Sequence, residues 1–322
     1  MLLSPLLLAA TFLLGQPACR AQLALRVRSA LGHEIAGVLE TPDSTSRLPT
    51  VVLISGAGPH DRDGYTLSGS RGHNDTFRAL SGSLQDRGFA VVRYDEVGTG
   101  ASGGDYRASA TTYTLADDVE SLVGALARRP DGDSSRIVLV GFSEGAVIAA
   151  LVAQRRSTIS AVALLAAPAW TGKRIIAYQD SVAAADAETL PEPTRATEGA
   201  RSLEARRQLA AGREGEEPWY RVFLTLDPLP AYRALSMPTL VLHGAEDRQV
   251  SVEQATAIAS EMRAHGNARV TLRVFSDLGH ALVTDQWARI VEPLSPLVRT
   301  ALGEWLSATL GAAPIPESCR RG

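Results

Sequence analysis

The chain runs to 322 residues, 45% of them hydrophobic, with a formal net charge of −3. That length holds one large α/β domain or two small ones around a sizeable core, and the charge leaves no electrostatic footprint for nucleic acid. Lys173 is the single lysine, which removes a Ser–Lys dyad and a Schiff-base lysine, and Arg174 after it removes a phosphate-binding loop, where Ser or Thr must follow the lysine.

The first 21 residues are set aside from the fold. Positions 2–14 form an apolar run too short for a membrane-spanning helix, and the small-residue stretch Pro17-Ala18-Cys19-Arg20-Ala21 follows. This is the shape of a secretory signal peptide, though without Lys or Arg ahead of the apolar run. A secreted or periplasmic location is therefore expected, with no stable membrane insertion once the leader is gone. Cys19 and Cys319 are the only cysteines. Two are too few for a structural zinc cluster, which takes four ligands, and Cys319 reads as a spare thiol in a polar tail.

Positions 23–27 and 34–40 alternate around Gly32 and predict an antiparallel hairpin. Positions 50–55 are continuously apolar, as a strand covered on both faces should be. A Gly/Asp-rich loop over 56–74 follows. Phe77, Leu80 and Leu84 then recur at helical spacing until Gly88. Positions 89–94 predict the next buried strand and 95–105 a glycine-rich loop. Leu115, Val119, Leu122, Val123 and Leu126 mark an amphipathic helix that ends at Pro130-Asp131-Gly132. Strands are expected at 136–142 and 161–166, with a helix over 146–153 between them. The rhythm breaks over 169–235, a polar Ala/Glu/Arg-rich stretch ending in the aromatics Trp219, Tyr220 and Phe223. It resumes with a strand at 239–243, a helix at 252–264, a strand at 270–275 and a helix at 287–309. Residues 313–322 read as a flexible tail. Alternating strands and helices argue for a mostly parallel sheet with helices on both faces. The simplest organisation is one domain over 22–312, with a helical insertion at 169–235 above the carboxyl ends of the strands, where open α/β sheets bind ligands.

The segment Gly141-Phe142-Ser143-Glu144-Gly145 reads G-x-S-x-G and lies between a predicted buried strand and a predicted buried helix. A serine on such a sharp turn is pushed out at the top of the sheet, which makes Ser143 a candidate nucleophile. Its hydroxyl needs a base, and the base needs a carboxylate to fix its tautomer. Along the chain the order should be Ser, then acid, then His. Only His265 and His280 follow a plausible acid. His265 sits at a helix end, so His280, in the loop after the last strand, is the expected base. Asp247, four residues past the end of the preceding strand, is the expected acid, with Asp277 and Glu246 as alternatives. Two backbone N–H groups should form an oxyanion hole. One is assigned to Glu144, the residue after the nucleophile. The other is assigned to Ala57, with Gly58 as the alternative, and Pro59 is excluded because it has no N–H. His60, Asp61, Arg62 and Asp63 read as a charge-paired loop that shapes the oxyanion turn. Phe142, Trp219, Tyr220 and Phe223 are candidate substrate-binding residues; the last three serve equally well as glue for the insertion. His243 reads as structural, and Glu144 as notable for its backbone more than for its carboxylate.

Five segments in order carry a resemblance: Gly56 to Asp63, Tyr94-Asp95 through Ser102, Gly141 to Gly145, Gly244 to Val250, and Gly279-His280. The chain resembles the serine-nucleophile α/β-hydrolases, and within them bacterial exported enzymes of the esterase/lysophospholipase-like and dienelactone-hydrolase-like kind. It departs at Ser55, where the family usually has a histidine, and at Val97, where it usually has an arginine. The resemblance implies an eight-stranded, mostly parallel sheet with a helical cap, and hydrolysis of a small-molecule carboxylic ester through an acyl-enzyme. No metal or organic cofactor is implied. A peptidase or amidase of the prolyl-peptidase kind and an acyltransferase are the enzymatic alternatives. A non-catalytic ligand receptor on the same fold is the alternative outside catalysis.

Overall fold

The computed structural model describes residues 19–43, 47–64, 75–130, 132–189, 217–284, 294–312 and 314–315. Eight strands form one sheet in the order β1-β2-β4-β3-β5-β6-β7-β8. They are β1 (Cys19–Arg28), β2 (Glu34–Asp43), β3 (Thr50–Ile54), β4 (Ala90–Tyr94), β5 (Ile137–Phe142), β6 (Ile159–Leu165), β7 (Thr239–Gly244) and β8 (Val270–Phe275). The predicted hairpin is β1–β2, antiparallel, and β2 also pairs antiparallel with β4. All other pairings are parallel. β1 begins at Cys19, so its first three residues fall inside the stretch set aside as a leader, and it pairs Cys19 with Asp43. Residues 1–18, Cys319 and the end of the expected tail, 316–322, lie outside the described residues.

The continuous apolar runs are explained by burial on both faces. Val52, Ile54, Val92, Leu139, Val162, Leu164 and Val241 point to one core, which is completed by α3 (Thr112–Ala127), α4 (Glu144–Arg155) and α8 (Val252–Ala264). Their strand neighbours Val51, Leu53, Val91, Val138, Val140, Leu240 and Leu242 point to the other, against α1 (Thr76–Gln85) and α9 (Pro296–Leu310). The period of two along each strand thus divides one hydrophobic sequence between two helical layers. The expected last helix starts later than its pattern suggested. Ser295 caps α9, its Oγ accepting from the Leu297 amide at 3.3 Å, and Pro296 takes the first helical position. Positions 287–293 of that expectation fall outside the described residues.

The 169–235 insertion contributes α5 (Gly172–Glu188), α6 (Pro218–Thr225) and α7 (Leu229–Arg233), with 190–216 not described. α5 and α6 pack on each other. Trp219, Tyr220 and Leu224 form a small hydrophobic cluster of their own with Ile176 and Phe223. α7 belongs instead to the main core: Tyr232 is fully buried there and its hydroxyl donates to the Pro168 carbonyl at 3.1 Å. The short helix α2 (Tyr106–Ser109) lies in the loop after β4. The loops after β3, β5, β7 and β8 all emerge at the carboxyl ends of their strands and meet there.

Candidate active site

Ser143 occupies the turn between β5 and α4, with φ 53° and ψ −120°. Left-handed backbone of this kind is costly for a side-chain-bearing residue and persists only where the surroundings enforce it. The enforcement is visible in the two flanking glycines. A Cβ on Gly145 would collide with the Ile54 and Ser55 carbonyls at the end of β3, and one on Gly141 would collide with the Gly145 carbonyl. The helix therefore starts directly against the neighbouring strand, and the serine is the residue that must turn.

His280 Nε2 lies 3.1 Å from Ser143 Oγ, and its Nδ1 lies 2.7 Å from Asp247 Oδ2. The chain of three side chains is continuous across 137 residues of sequence. Asp247 is buried and fully engaged. Its Oδ1 accepts from the Gln249 and Val250 amides, both at 2.8 Å. Its Oδ2 faces His280 and also His243 Nε2, at 3.2 Å. Burial alone would raise its pKa, but the His280 charge and the two histidine contacts reverse this and hold the carboxyl well below the usual range. Of the alternative acids, Asp277 and Glu246 are both exposed, and the carboxylate that reaches His280 is Asp247. His265 is the exposed C-cap of α8, its Nδ1 2.8 Å from the Glu261 carbonyl. The Phe142 ring stands 5.3 Å from the His280 ring, centre to centre, which places it against one side of the imidazole.

His243, expected to be structural, braces the loop that carries Asp247. It is fully buried, with Nε2 2.8 Å from the Val250 carbonyl as well as 3.2 Å from Asp247 Oδ2. A single N–H at Nε2 serves both acceptors. The signal in the sequence was the i, i+4 spacing of His243 and Asp247 across a strand end.

The loop after β3 passes directly over the nucleophile. A Cβ on Gly56 would lie 3.2 Å from Ser143 Cβ, so the next amides along, Ala57 and Gly58, are in the neighbourhood of the serine. The charged residues that follow shape this loop. His60 Nδ1 lies 2.7 Å from the Gly58 carbonyl, and the His60 amide donates to buried Glu96 at 2.8 Å. Arg62 forks onto Asp95, and Arg93 bonds both Glu40 and Asp63. Arg62 supplies the cation beside Asp95 that Val97 does not. Burial opposes the charge of His60, but its contact with Glu96 raises its pKa; burial raises that of Glu96 itself.

The Glu144 carboxylate, expected to matter less than its backbone, is fully engaged. It is buried, accepts from Thr112 Oγ1 at 2.6 Å, and takes the Trp219 indole N–H between its two oxygens at 2.9 and 2.8 Å. Burial pushes its pKa up to about 7, with the Thr112 and Trp219 donors opposing and Glu96 adding to the rise. Trp219 in turn stacks on Phe223, at 5.1 Å and 8° between planes, and Tyr220 lies 6.1 Å from each of the two rings. The three candidate pocket aromatics therefore form one cluster, hung from the residue next to the nucleophile. Among the described residues, no group of three or more His, Cys, Asp or Glu is placed to hold a metal ion, and no helix is long and apolar enough to cross a membrane.

A parallel-centred eight-stranded sheet with a Ser–His–Asp chain at its carboxyl edge defines an α/β-hydrolase, of the serine-nucleophile class. Within that class the chain belongs to the prolyl oligopeptidase family, whose model matches residues 76–292. It is similar to esterase EstD of Thermotoga maritima, at 24% identity over 257 residues covering 78% of this chain and 59% of that protein. The chain thus spans less than two thirds of that relative's length. Among solved structures it is similar to an esterase of Pyrococcus furiosus, with a TM-score of 0.62 and 17% identity over 90% of this chain and 91% of that one. It is also similar to a ferulic-acid-bound Est1E from Butyrivibrio proteoclasticus, with a TM-score of 0.59 and 18% identity over 89% and 100%. At these identities the structural likeness speaks for the fold.

Proposed function

We propose that this protein hydrolyses carboxylic esters through an acyl-enzyme formed on Ser143. The observation that carries the reading is the unbroken hydrogen-bond chain Ser143–His280–Asp247 on a strained strand-to-helix turn. Ser143 Oγ attacks the ester carbonyl while His280 Nε2 takes its proton. Asp247 fixes the Nδ1–H tautomer and stabilises the imidazolium. The Glu144 and Ala57 amides, or Gly58 in place of Ala57, hold the developing oxyanion, each worth about 10²–10³ in kcat. His280 then protonates the leaving alcohol, activates a water on the acyl-enzyme, and the acid departs with Ser143 restored. No step asks for a cofactor.

Phe142, Trp219, Tyr220 and Phe223 are the proposed acyl-pocket wall, and α5 with α6 the proposed cap. The relatives named as esterases support ester over peptide cleavage. The family match gives the second reading, a peptidase or amidase, its own support. We also propose that the enzyme is exported, on the strength of the apolar run at 2–14 and the small-residue stretch at 17–21, the end of which overlaps the start of β1.

The test is hydrolysis of p-nitrophenyl esters from C2 to C16 beside a set of peptide p-nitroanilides. The proposal expects kcat/KM for the best ester to exceed that for any anilide by orders of magnitude, with a chain-length optimum that sizes the pocket. Preferential cleavage of the anilides would replace the ester reading with the peptidase one.

A further inference from the structure

The residue after the nucleophile does more than lend its amide. Glu144 is buried at the first position of α4, and all the donors to its carboxylate come from elsewhere: Thr112 from α3, and Trp219 from α6 of the insertion. Trp219 carries Phe223, stacked on it, and Tyr220, tilted against both, in one cluster. Phe223 closes directly over Gly172 at the start of α5, where any side chain would collide with it. One carboxylate thus joins the nucleophile turn to the aromatic helix pair.

We propose that Glu144 is a positioning residue for substrate selection: through the Trp219 N–H it seats the α6 aromatics beside Ser143 and so sets which acyl chains the site accepts. This rests on the ester-hydrolase reading. The chemistry favours a carboxylate for the task. An ionised carboxyl has acceptor capacity for both donors and makes charge-assisted bonds stronger than neutral ones. Once protonated, one oxygen becomes a donor, and the indole N–H, which is itself only a donor, keeps a single acceptor. The seat is therefore tight when Glu144 is ionised and looser when it is not. The titratable groups facing it are His60 and Glu96 from the loops after β3 and β4, and Tyr106 from α2. Its neutral-range ionisation makes the loosening accessible near physiological pH.

The experiment compares Glu144→Ala, Glu144→Gln, Trp219→Phe and the Ala/Phe double variant on p-nitrophenyl acetate and octanoate, from pH 5.5 to 8.5. Trp219→Phe keeps an aromatic ring and removes the N–H. Expected is a fall of roughly tenfold in the octanoate-to-acetate ratio of kcat/KM for Glu144→Ala and Trp219→Phe, carried by KM, with no further loss in the double variant. The wild-type ratio should fall as pH drops through about 7. Glu144→Gln, which like the protonated carboxyl leaves Trp219 a single acceptor oxygen and offers Thr112 Oγ1 an N–H, should hold the ratio flat with pH at the lowered value the wild type reaches in acid. Additive effects, or an equal kcat loss for both esters with KM unchanged, would overturn the proposal. Failure of the ester reading itself would show separately, as no turnover of either ester by the wild type. In that case tryptophan fluorescence decides the tie: a transition near pH 7 in the wild type that vanishes in Glu144→Gln and Trp219→Phe supports it, and its persistence in both overturns it.

Discussion

Ser143 holds a backbone that costs a side-chain-bearing residue about 1–3 kcal/mol, and its φ of 53° is a direct measure of what the turn demands. Ser143→Gly should relieve that strain at an entropic cost of about 0.5–1 kcal/mol. The variant should then melt above Ser143→Ala in calorimetry while both lack activity; a Ser143→Gly that melts below Ser143→Ala by its entropic cost would mean the turn is unstrained. Asp247 makes a second prediction at this scale. Its folded pKa is depressed, so its ionised form favours the folded state above the unfolded carboxyl pKa, and that contribution is lost as pH falls through the acid range below about 4. Asp247→Asn should flatten the acid limb of the stability–pH curve and, by disturbing the His280 tautomer, lower kcat by up to about 10⁴. Acid denaturation followed by circular dichroism checks the first part. Glu144 has the opposite sign. Its folded pKa is raised from the model-compound value 4.5 to about 7, so stability falls as pH rises across that window, and Glu144→Gln should remove the fall. Ser143, His280 and Asp247 were legible because each follows a recognisable strand end in the required order. The Glu144 carboxylate was not, because its partner Trp219 lies 75 positions away across the insertion, and no local pattern announces such a contact.

At the scale of elements, the decisive junction is β5–α4 against β3. Gly145 lets the first turn of α4 sit on the Ile54 and Ser55 carbonyls. Gly145→Val pushes backbone against backbone with nothing flexible to yield. It should destabilise the protein by roughly 3 kcal/mol or more and displace Ser143 relative to Gly56, so that residual folded protein has little activity. A denaturant titration at unchanged activity per folded molecule would contradict this. The inner strands were readable from their apolar runs, because a sheet covered on both faces buries every residue of a strand such as β3, and the β1–β2 hairpin from its alternation around Gly32. The insertion was readable only as a break in rhythm. Its polar, helix-favouring composition gave no register, and it hid the fact that α7 packs into the main core through Tyr232 while α5 and α6 form a separate cluster. The α9 boundary was missed because the apolar pattern runs past the Ser295-Pro296 start that the cap chemistry fixes.

For the whole molecule, strand order brings four loops to one edge, and sequence distance ceases to matter there. β3, β5, β7 and β8 deliver Gly56, Ser143, Asp247 and His280 to a single carboxyl-end rim, while β1, β2 and β4 extend the sheet on the far side. The loop after β4 contributes Asp95 and Glu96, which fix the Gly56–Asp63 loop from beneath through Arg62 and His60. The prolyl oligopeptidase family and the esterases to which the chain is similar are named for different leaving groups, and a Ser–His–Asp chain by itself does not decide between them. The central claim is that Ser143 is the nucleophile and depends on its histidine and aspartate. The most direct measurement is hydrolysis of p-nitrophenyl butyrate by the wild type and Ser143→Ala side by side, with folding of both checked by circular dichroism. The account predicts a folded variant whose kcat falls by up to about 10⁶. A folded Ser143→Ala that retains substantial turnover would contradict it.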